Sequence, residues 1–472
     1  MNIISYLQNR GIDTVDSSFY RRIEEWKSWY KGNVKNFSFY RVYSGQGTYN
    51  KKKRKSLGMA KKVCEDIADL LLNEKVQITI DDIQTNEYVQ DVLKRNRFLV
   101  IGNDYQERKA YAGTVAYIPY LDNMDVDEDG NIRSGNIGIN YVSAAGIFPV
   151  SWHNGIVTEC AFAFTKTFKR KKYVHIQFHL LEEGKYIIEN TVLECVSGSK
   201  EGKELLPKEW AKLKPFEKLV QKIYTDSPEP QYVIDRLNIV NNADDDESNP
   251  MGIAIYANAI DVLKKLDTEY DSYSNEFDLG RKRIFVAPEM IKNQDGSPAF
   301  DPEDSVFYQL PDDYSEKGEK MIHEINMDIR AEEHSKAIND DLNYLSLKCG
   351  FGVDRYRFEN GNVKTATEVI SENSDMFRNL KKHEIILEDV LHELVRIIIR
   401  LGIVLNVPLN PDPEITIDFD DSIIEDKVAE RNTDRQDVAM GTFQAYEYRA
   451  KWRGESEEEA KSKIQTTDEV ME

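Results

Sequence analysis

The hydrophobic period of this chain changes twice, and that change limits the folds open to it. From residue 76 to about 200 apolar residues alternate with polar ones. VQITI, TVAYIPYL, GNIGINYVSAAGIFPVSW, TECAFAFTKTF, YVHIQFHLL and KYIIENTVLE read as strands, divided by Gly, Asn or charged turns. Serial strands with short turns predict an antiparallel meander or sandwich. One helix, near 85–98 (TNEYVQDVLKRNRF), interrupts it. On either side of this region apolar residues recur every three or four positions, the signature of amphipathic helices. Blocks of both kinds in one chain place it in the α+β class.

The N-terminal helical block contains RRIEEWKSWYKG (21–32), where Ile23, Trp26 and Tyr30 share a face and Gly32 is a stop. A basic run, KKKRK (51–55), precedes SLGMAKKVCEDIADLLLNE (56–74). There Leu57, Ala60, Cys64, Ile67, Ala68 and Leu71 form an apolar face, and Ser56 is the expected N-cap. The run fits a solvated loop before a helix better than a nuclear signal or a nucleic-acid patch.

Beyond the polar, acidic stretch NNADDDESNP (241–250), expected to be a linker or flexible loop, the chain turns helical again. Residues 251–283 align Tyr256, Ile260, Leu263, Tyr270 and Phe277. Residues 284–315 carry Pro288, Pro298, Pro302 and Pro311 with strand-like RIFVA and SVFYQL, a non-helical insert. A helix is expected over 316–346 from Ile322, Ile325, Ile329, Ile338, Leu342 and Leu345. The Gly- and aromatic-rich KCGFGVDRYRFENGN (348–362) follows. A long helix then runs from Thr365 to about Leu401 through Val369, Phe377, Leu380, Leu387, Leu391, Leu394 and Ile398. EITIDFDD (414–421) is a closing strand, and 423–465 reads as an acidic helical tail.

Composition narrows the function. Of 472 residues, 62 are Lys or Arg and 83 Asp or Glu, a formal charge of −21. An acidic chain does not coat nucleic acid through a basic surface, because such binders gain affinity by neutralising phosphates. It is compatible with a surface past which DNA slides. Hydrophobic residues make up 40%, enough for real cores, so global disorder is excluded. The start, MNIISYLQNRG, lacks a basic region followed by an apolar run, so no secretory signal is expected. The most apolar stretch, 390–405, contains Glu393, Arg396 and Arg400 and is too short to span a bilayer; it reads as a buried helix.

No arrangement of residues supports catalysis or a cofactor. The four cysteines (Cys64, Cys160, Cys195, Cys349) lie far apart in sequence with no CxxC, and read as isolated reduced thiols. Asp125, Asp127 and Asp129 in DVDEDGN match the opening of a calcium loop. The Glu needed at the twelfth position is missing, since Asn136 stands there, and the flanks are strands, so an acidic hairpin turn is favoured over a metal site. His175 and His179 are four apart, but in an alternating segment, where they read as part of a polar strand face.

Three passages resemble a known family. They are WKSWYKG (26–32) followed by SLGMAKKVCEDIADLLLNEKVQI (56–78), NVKTATEVISENSDMFRNLKKHEIILEDVLHELV (362–395), and the order of elements after residue 250. Together they resemble the portal proteins of tailed bacteriophages, of the SPP1-like type from Gram-positive siphophages. The resemblance implies a portal fold: a wing over 1–250, a first stem helix at 251–283, a clip at 284–315 and a second stem helix at 316–346. A tunnel-loop region at 347–364, a long wing helix with its closing strand at 365–422, and a crown at 423–472 complete it. It also implies a homo-oligomeric ring of about twelve copies at the capsid vertex of the virion, assembled in the host bacterial cytoplasm. Double-stranded DNA would pass through that ring. Its further partners would be terminase, the major capsid and scaffolding proteins and the head-tail adaptor, with no membrane, no cofactor and no catalytic role. Within that frame Lys264, Lys265, Lys317, Lys320, Lys348, Arg355 and Arg357 are the DNA-contact candidates, weighed against solvated faces and ion pairs between subunits. Thr365 is the expected cap of the long helix, with Glu368 completing a capping box. The alternative is another phage head protein without a channel.

Overall fold

Helices α1 (Ile3–Asn9) and α2 (Ser17–Tyr30) begin the structure, a computed structural model. It describes residues 2–43, 48–73, 75–126, 132–196, 198, 202–280, 283–286, 307–309, 322–325, 328–353, 355–357, 366–419 and 427–463. The Asp16 carboxylate caps α2 by accepting from the Ser18 amide at 2.7 Å, and Phe19, Ile23 and Trp26 bury one stripe of it. An antiparallel ribbon follows, β1 (Phe39–Tyr43) with β2 (Tyr49–Lys53). The basic run is therefore largely strand, where a loop was expected. Helix α3 (Met59–Leu71) buries the predicted face, but its N-cap is Gly58 and not Ser56. The Ser56 hydroxyl donates instead to Asp267 at 3.0 Å, because the chain is already turned toward that carboxylate.

Strand β3 (Gln77–Ile80) leads to α4 (Ile83–Arg95) and α5 (Phe98–Ala112). The sequence signalled only the first of these two helices. The inner face of α5 includes Gln106 and Lys109 beside Phe98 and Ala110, so its apolar stripe is broken by polar residues. The expected meander follows in part: β3, its expected first strand, lies outside it, and GNIGINYVSAAGIFPVSW, expected as one strand, is two strands in different sheets. Strands β4 (Thr114–Val126) and β5 (Ile132–Ser143) pair antiparallel. Then β6 (Ile147–His153), β7 (Ile156–Phe168), β8 (Lys171–Glu182) and β9 (Lys185–Glu194) are serial neighbours. Each of the three hairpins from β6 to β9 closes on a two-residue loop with both residues at positive φ: Asn154-Gly155, Lys169-Arg170 and Glu183-Gly184. Those are the torsions of type I′ turns, whose twist matches that of the flanking strands. Strands β10 (Lys203–Leu205) and β11 (Lys222–Tyr224) add to β9, with the short α6 (Pro207–Trp210) between them. Strand β12 (Val233–Arg236) adds to β4.

The acidic stretch 241–250 is tied down and does not act as a free linker. Asn249 is buried and donates to Asp244 at 2.6 Å, and Asn241 donates to the Met251 carbonyl at 3.1 Å. Asn and Asp side chains satisfying nearby backbone explain how so polar a segment holds its shape. The chain then crosses the end of α5. Gly113, at φ +80°, faces Gly252 so closely that a Cβ on Gly113 would lie 2.1 Å from the Gly252 carbonyl oxygen. Ile255 donates to the Ala110 carbonyl at 2.9 Å beside this crossing.

Helix α7 (Ile260–Leu279) starts four residues after Tyr256, which was expected on its stripe. Tyr256 lies outside the helix and is fully buried, its hydroxyl donating to the Trp26 carbonyl at 2.8 Å. Strands β13 (Arg283–Val286), β14 (Phe307–Gln309) and β15 (Ile322–Ile325) form a small sheet with β13 in the centre, parallel to β14 and antiparallel to β15. The helix expected over 316–346 is thus α8 (Ala331–Lys348), and Ile322, Ile325 and Ile329 precede it. Two isoleucines three apart fit one helical turn or the two faces of a strand equally well; pairing with β13 decides for the strand. Helix α9 (Ala366–Val404) spans roughly 58 Å at 1.5 Å per residue. It buries Leu380, Leu387, Leu391, Leu394 and Ile398 as expected. Strand β16 (Ile415–Asp418) returns to pair with β3, and α10 (Lys427–Met440), α11 (Ala445–Arg453) and α12 (Glu457–Ser462) form the tail.

Candidate functional site

Helices α7 and α8 run antiparallel, because their ionic ties fall in opposite order along the two. Lys348 at the end of α8 meets Asp261 at the start of α7 at 3.1 Å. Midway, Lys265 meets Asp341 at 2.7 Å. At the far end Arg330 and His334 reach Glu276. The guanidinium and amide of Arg330 hold the Glu276 carboxyl down at about 2. Ile338, Leu342 and Leu345 of α8 are buried, as are Leu263 and Leu266 of α7.

A second side of α7 receives the basic ribbon. Asp271 accepts from the Tyr40 hydroxyl at 2.8 Å and from the Lys55 amide at 2.9 Å. Asp267 accepts from Ser56 and from the Leu57 amide at 2.9 Å, and burial pushes its carboxyl up. Lys52 donates to Asn275, and Arg54 to Thr268 at 3.1 Å. Sequence reasoning missed this use of the basic run. The alternation in FYRVY and YNKKK was the available signal, masked by its charge.

The chain leaves α8 through Gly350 and Gly352, both at positive φ. Phe351 and Tyr356 are buried with ring centroids 5.9 Å apart, and the Tyr356 hydroxyl donates to Asp66 of α3 at 2.9 Å. Arg355 and Arg357 flank this anchor and are exposed.

The nominated cations therefore divide. Lys265 and Lys348 tie the two helices together within one chain. Lys264 is exposed and makes no ion pair among the described residues. Arg355 and Arg357 project beside a fixed tyrosine. Lys317 and Lys320 lie outside the described residues, as does Thr365. Glu368 falls in the first turn of α9. Asp125 is near the end of β4, in register with Ser134, while Asp127 and Asp129 lie outside the described residues. Strands β4 and β5 pair as far as Val126 and Ile132, in keeping with a hairpin there. Among the described residues no group of three His, Cys, Asp or Glu is placed to hold a metal.

His175 and His179 do lie on a strand, β8, but the polar face expected of them is buried and aromatic. His179 has no solvent exposure and meets the rings of Phe162 and Tyr232 edge-on, and burial lowers it to about 3. His175 is bonded to Asn190 at 2.8 Å and is lowered to about 4, again by burial. The rings packed on His179 come from β7 and from the residue just before β12, which strand periodicity cannot name.

Replacing Lys265 with Met tests the middle tie. Asp341 is 3% exposed and would lose its cation. Lys265 itself is well exposed, so solvent screening limits the expected loss to about 1 kcal/mol. A urea unfolding midpoint equal to the parent's would show that the tie adds nothing.

No helix among the described residues is long and apolar enough to cross a membrane. No curated protein matches the sequence. The family model for phage portal proteins, SPP1 Gp6-like, matches residues 11–465, nearly the whole chain, and the chain belongs to that family.

Proposed function

We propose that copies of this chain close into a ring of about twelve around a channel for duplex DNA. Portal function follows from the family, which is structural and belongs to the virion capsid. The finer reading is ours. The chain acts without catalysis, is assembled in the host cytoplasm, and docks terminase during packaging and the head-tail adaptor afterwards. Capsid and scaffolding proteins are its remaining partners. The β-rich region with α9 is the wing, α7 and α8 the stem, the β13–β15 sheet part of the clip, and α10–α12 the crown.

One observation carries the ring. The α7–α8 pair is tied within the chain by Lys265–Asp341 and Lys348–Asp261 yet leaves large apolar side chains outside: Phe277 is 50% exposed, Tyr344 60% and Leu347 55%. A lone helix pair gains nothing from such residues; a neighbour on each side would bury them. Lys264 and Arg355 are the cations best supported as DNA contacts, since Lys265 and Lys348 are engaged within the chain. Electron microscopy of the purified protein should give rings with a central hole of duplex size, and K264Q/R355Q should assemble normally but package less DNA. Hole-free particles or monomers would refute the ring. Normal packaging by the variant would remove these two contacts.

A further inference from the structure

We propose that the solvent face of the β1–β2 ribbon binds the phosphate backbone of duplex DNA, separately from the α7–α8 cations. Strand side chains alternate between faces. Tyr40 and Lys52, directly opposite each other, point at α7 and bond to Asp271 and Asn275. The other face is then fixed by register. It pairs Phe39 with Lys53, Arg41 with Lys51, and Tyr43 with Tyr49, and all six are exposed.

That face carries three cations and no carboxylate. Arg41 stands directly across from Lys51, and like charges directly opposite destabilise a strand pair. Neither they nor Lys53 has a salt bridge among the described residues, in a chain with a net charge of −21. The ribbon's hydrogen bonds to α7 leave from its other face; this side is left with uncompensated positive charge. An anionic partner relieves that repulsion. The aromatic residues fit the same partner. Lys51 lies over the Phe39 ring, 4.2 Å from its centroid, which steadies the ammonium. Tyr43 and Tyr49 pack edge to face at 5.3 Å while remaining 63% and 68% exposed, and tyrosine hydroxyls are among the usual phosphate donors. Lys51 and Lys53 lie two residues, about 6.8 Å, apart along one strand, so they present a row of charge to a backbone and not a single point. An acidic face of a second copy is the competing occupant, and the test separates the two.

The proposal takes duplex DNA as its partner from the family assignment, and it does not depend on the ring or its channel. The experiment is fluorescence anisotropy of a labelled 30-base-pair duplex with the full-length protein, across a salt series. R41Q/K51Q/K53Q should bind at least tenfold more weakly at 100 mM salt. The slope of log affinity against log salt should fall by about 2 to 3, near 0.9 per lost phosphate contact. The charge-preserving R41K/K51R/K53R should bind as the parent does, with unchanged circular dichroism in both variants. Parental affinity and slope in the glutamine variant would overturn the proposal. So would a changed oligomer mass with DNA affinity unchanged, which would make the face a contact between copies. K264Q/R355Q, run alongside, separates this idea from the channel. Loss confined to that pair moves the DNA contact to the stem. Loss in the ribbon variant of a protein that forms no ring upholds the ribbon and refutes the conduit.

Discussion

Asp235→Ala is expected to lower the stability of the β-rich region by about 3–5 kcal/mol, the usual cost of breaking a buried ion pair from one side. Asp235 on β12 has no solvent exposure and accepts from Lys109 of α5 at 2.8 and 3.0 Å and from Gln106 at 2.7 Å. Gln106 also donates to the Tyr117 hydroxyl at 2.8 Å. The network joins α5, β4 and β12 beside His383 of α9, whose Nδ1 accepts from the Asn238 amide at 3.1 Å. Without the carboxylate, an ammonium 1% exposed has no counter-charge. Burial already presses Lys109 below its ordinary value. A lowered lysine binds its proton less tightly folded than unfolded, so stability rises with pH while the folded chain has released that proton and the unfolded chain still holds it. Asp235 raises Lys109, so its loss lowers the lysine further, and the variant's deficit should shrink as pH rises toward 10. Urea unfolding followed by tryptophan fluorescence measures both effects. The double change K109M/D235L, which removes both charges, should recover most of the loss. A deficit below about 1 kcal/mol in the single variant would mean that water or another group compensates Lys109.

Gly113→Ala should be at least as damaging. The residue has φ +80°, which costs an alanine about 1–2 kcal/mol by itself. Its new Cβ would also lie within 2.1–2.5 Å of the carbonyl carbon and oxygen of Gly252 and the amide nitrogen of Ile253. These are backbone atoms, and no side chain can swing away. The crossing segment would have to move, taking with it the bonds from Ile255 to Ala110 and from Gly252 to the Thr114 hydroxyl. The expected result is little soluble protein. Gly184→Ala, at the same φ of +80° but with open space around it, isolates the torsional part and should cost no more than about 2 kcal/mol. Equal losses at the two positions would mean that the close approach to Gly252 adds nothing.

These two sites also mark where sequence reading stopped. The meander, the α9 stripe and the closing strand were legible because each repeats one period long enough to outweigh noise. Helix α5 was not, because Lys109 and Gln106 occupy core positions and only Asp235, some 126 residues away, makes that tolerable. Gly113 looks like any helix stop, and its contact with Gly252 is purely tertiary. Among the nominated cations, charge and position were readable but use was not. Lys265 and Lys348 found carboxylates on the facing helix, whereas Lys264, one residue earlier, points elsewhere. The ribbon's two faces could have been separated in sequence had residues 39–53 been read as a strand pair.

The pairing of β3 with β16 sets a schedule for making the protein. In that two-stranded sheet Asp81 and Glu414, 333 residues apart, exchange bonds. At synthesis rates of ~5–20 residues per second, β3 waits roughly 15–70 s for its partner to leave the ribosome. During that interval Ile78 and Ile80 lack the strand that later flanks them, and the edge is open to other chains. Only a chain made past β16 closes it, so the N-terminal region reaches its final form after α9 has been made.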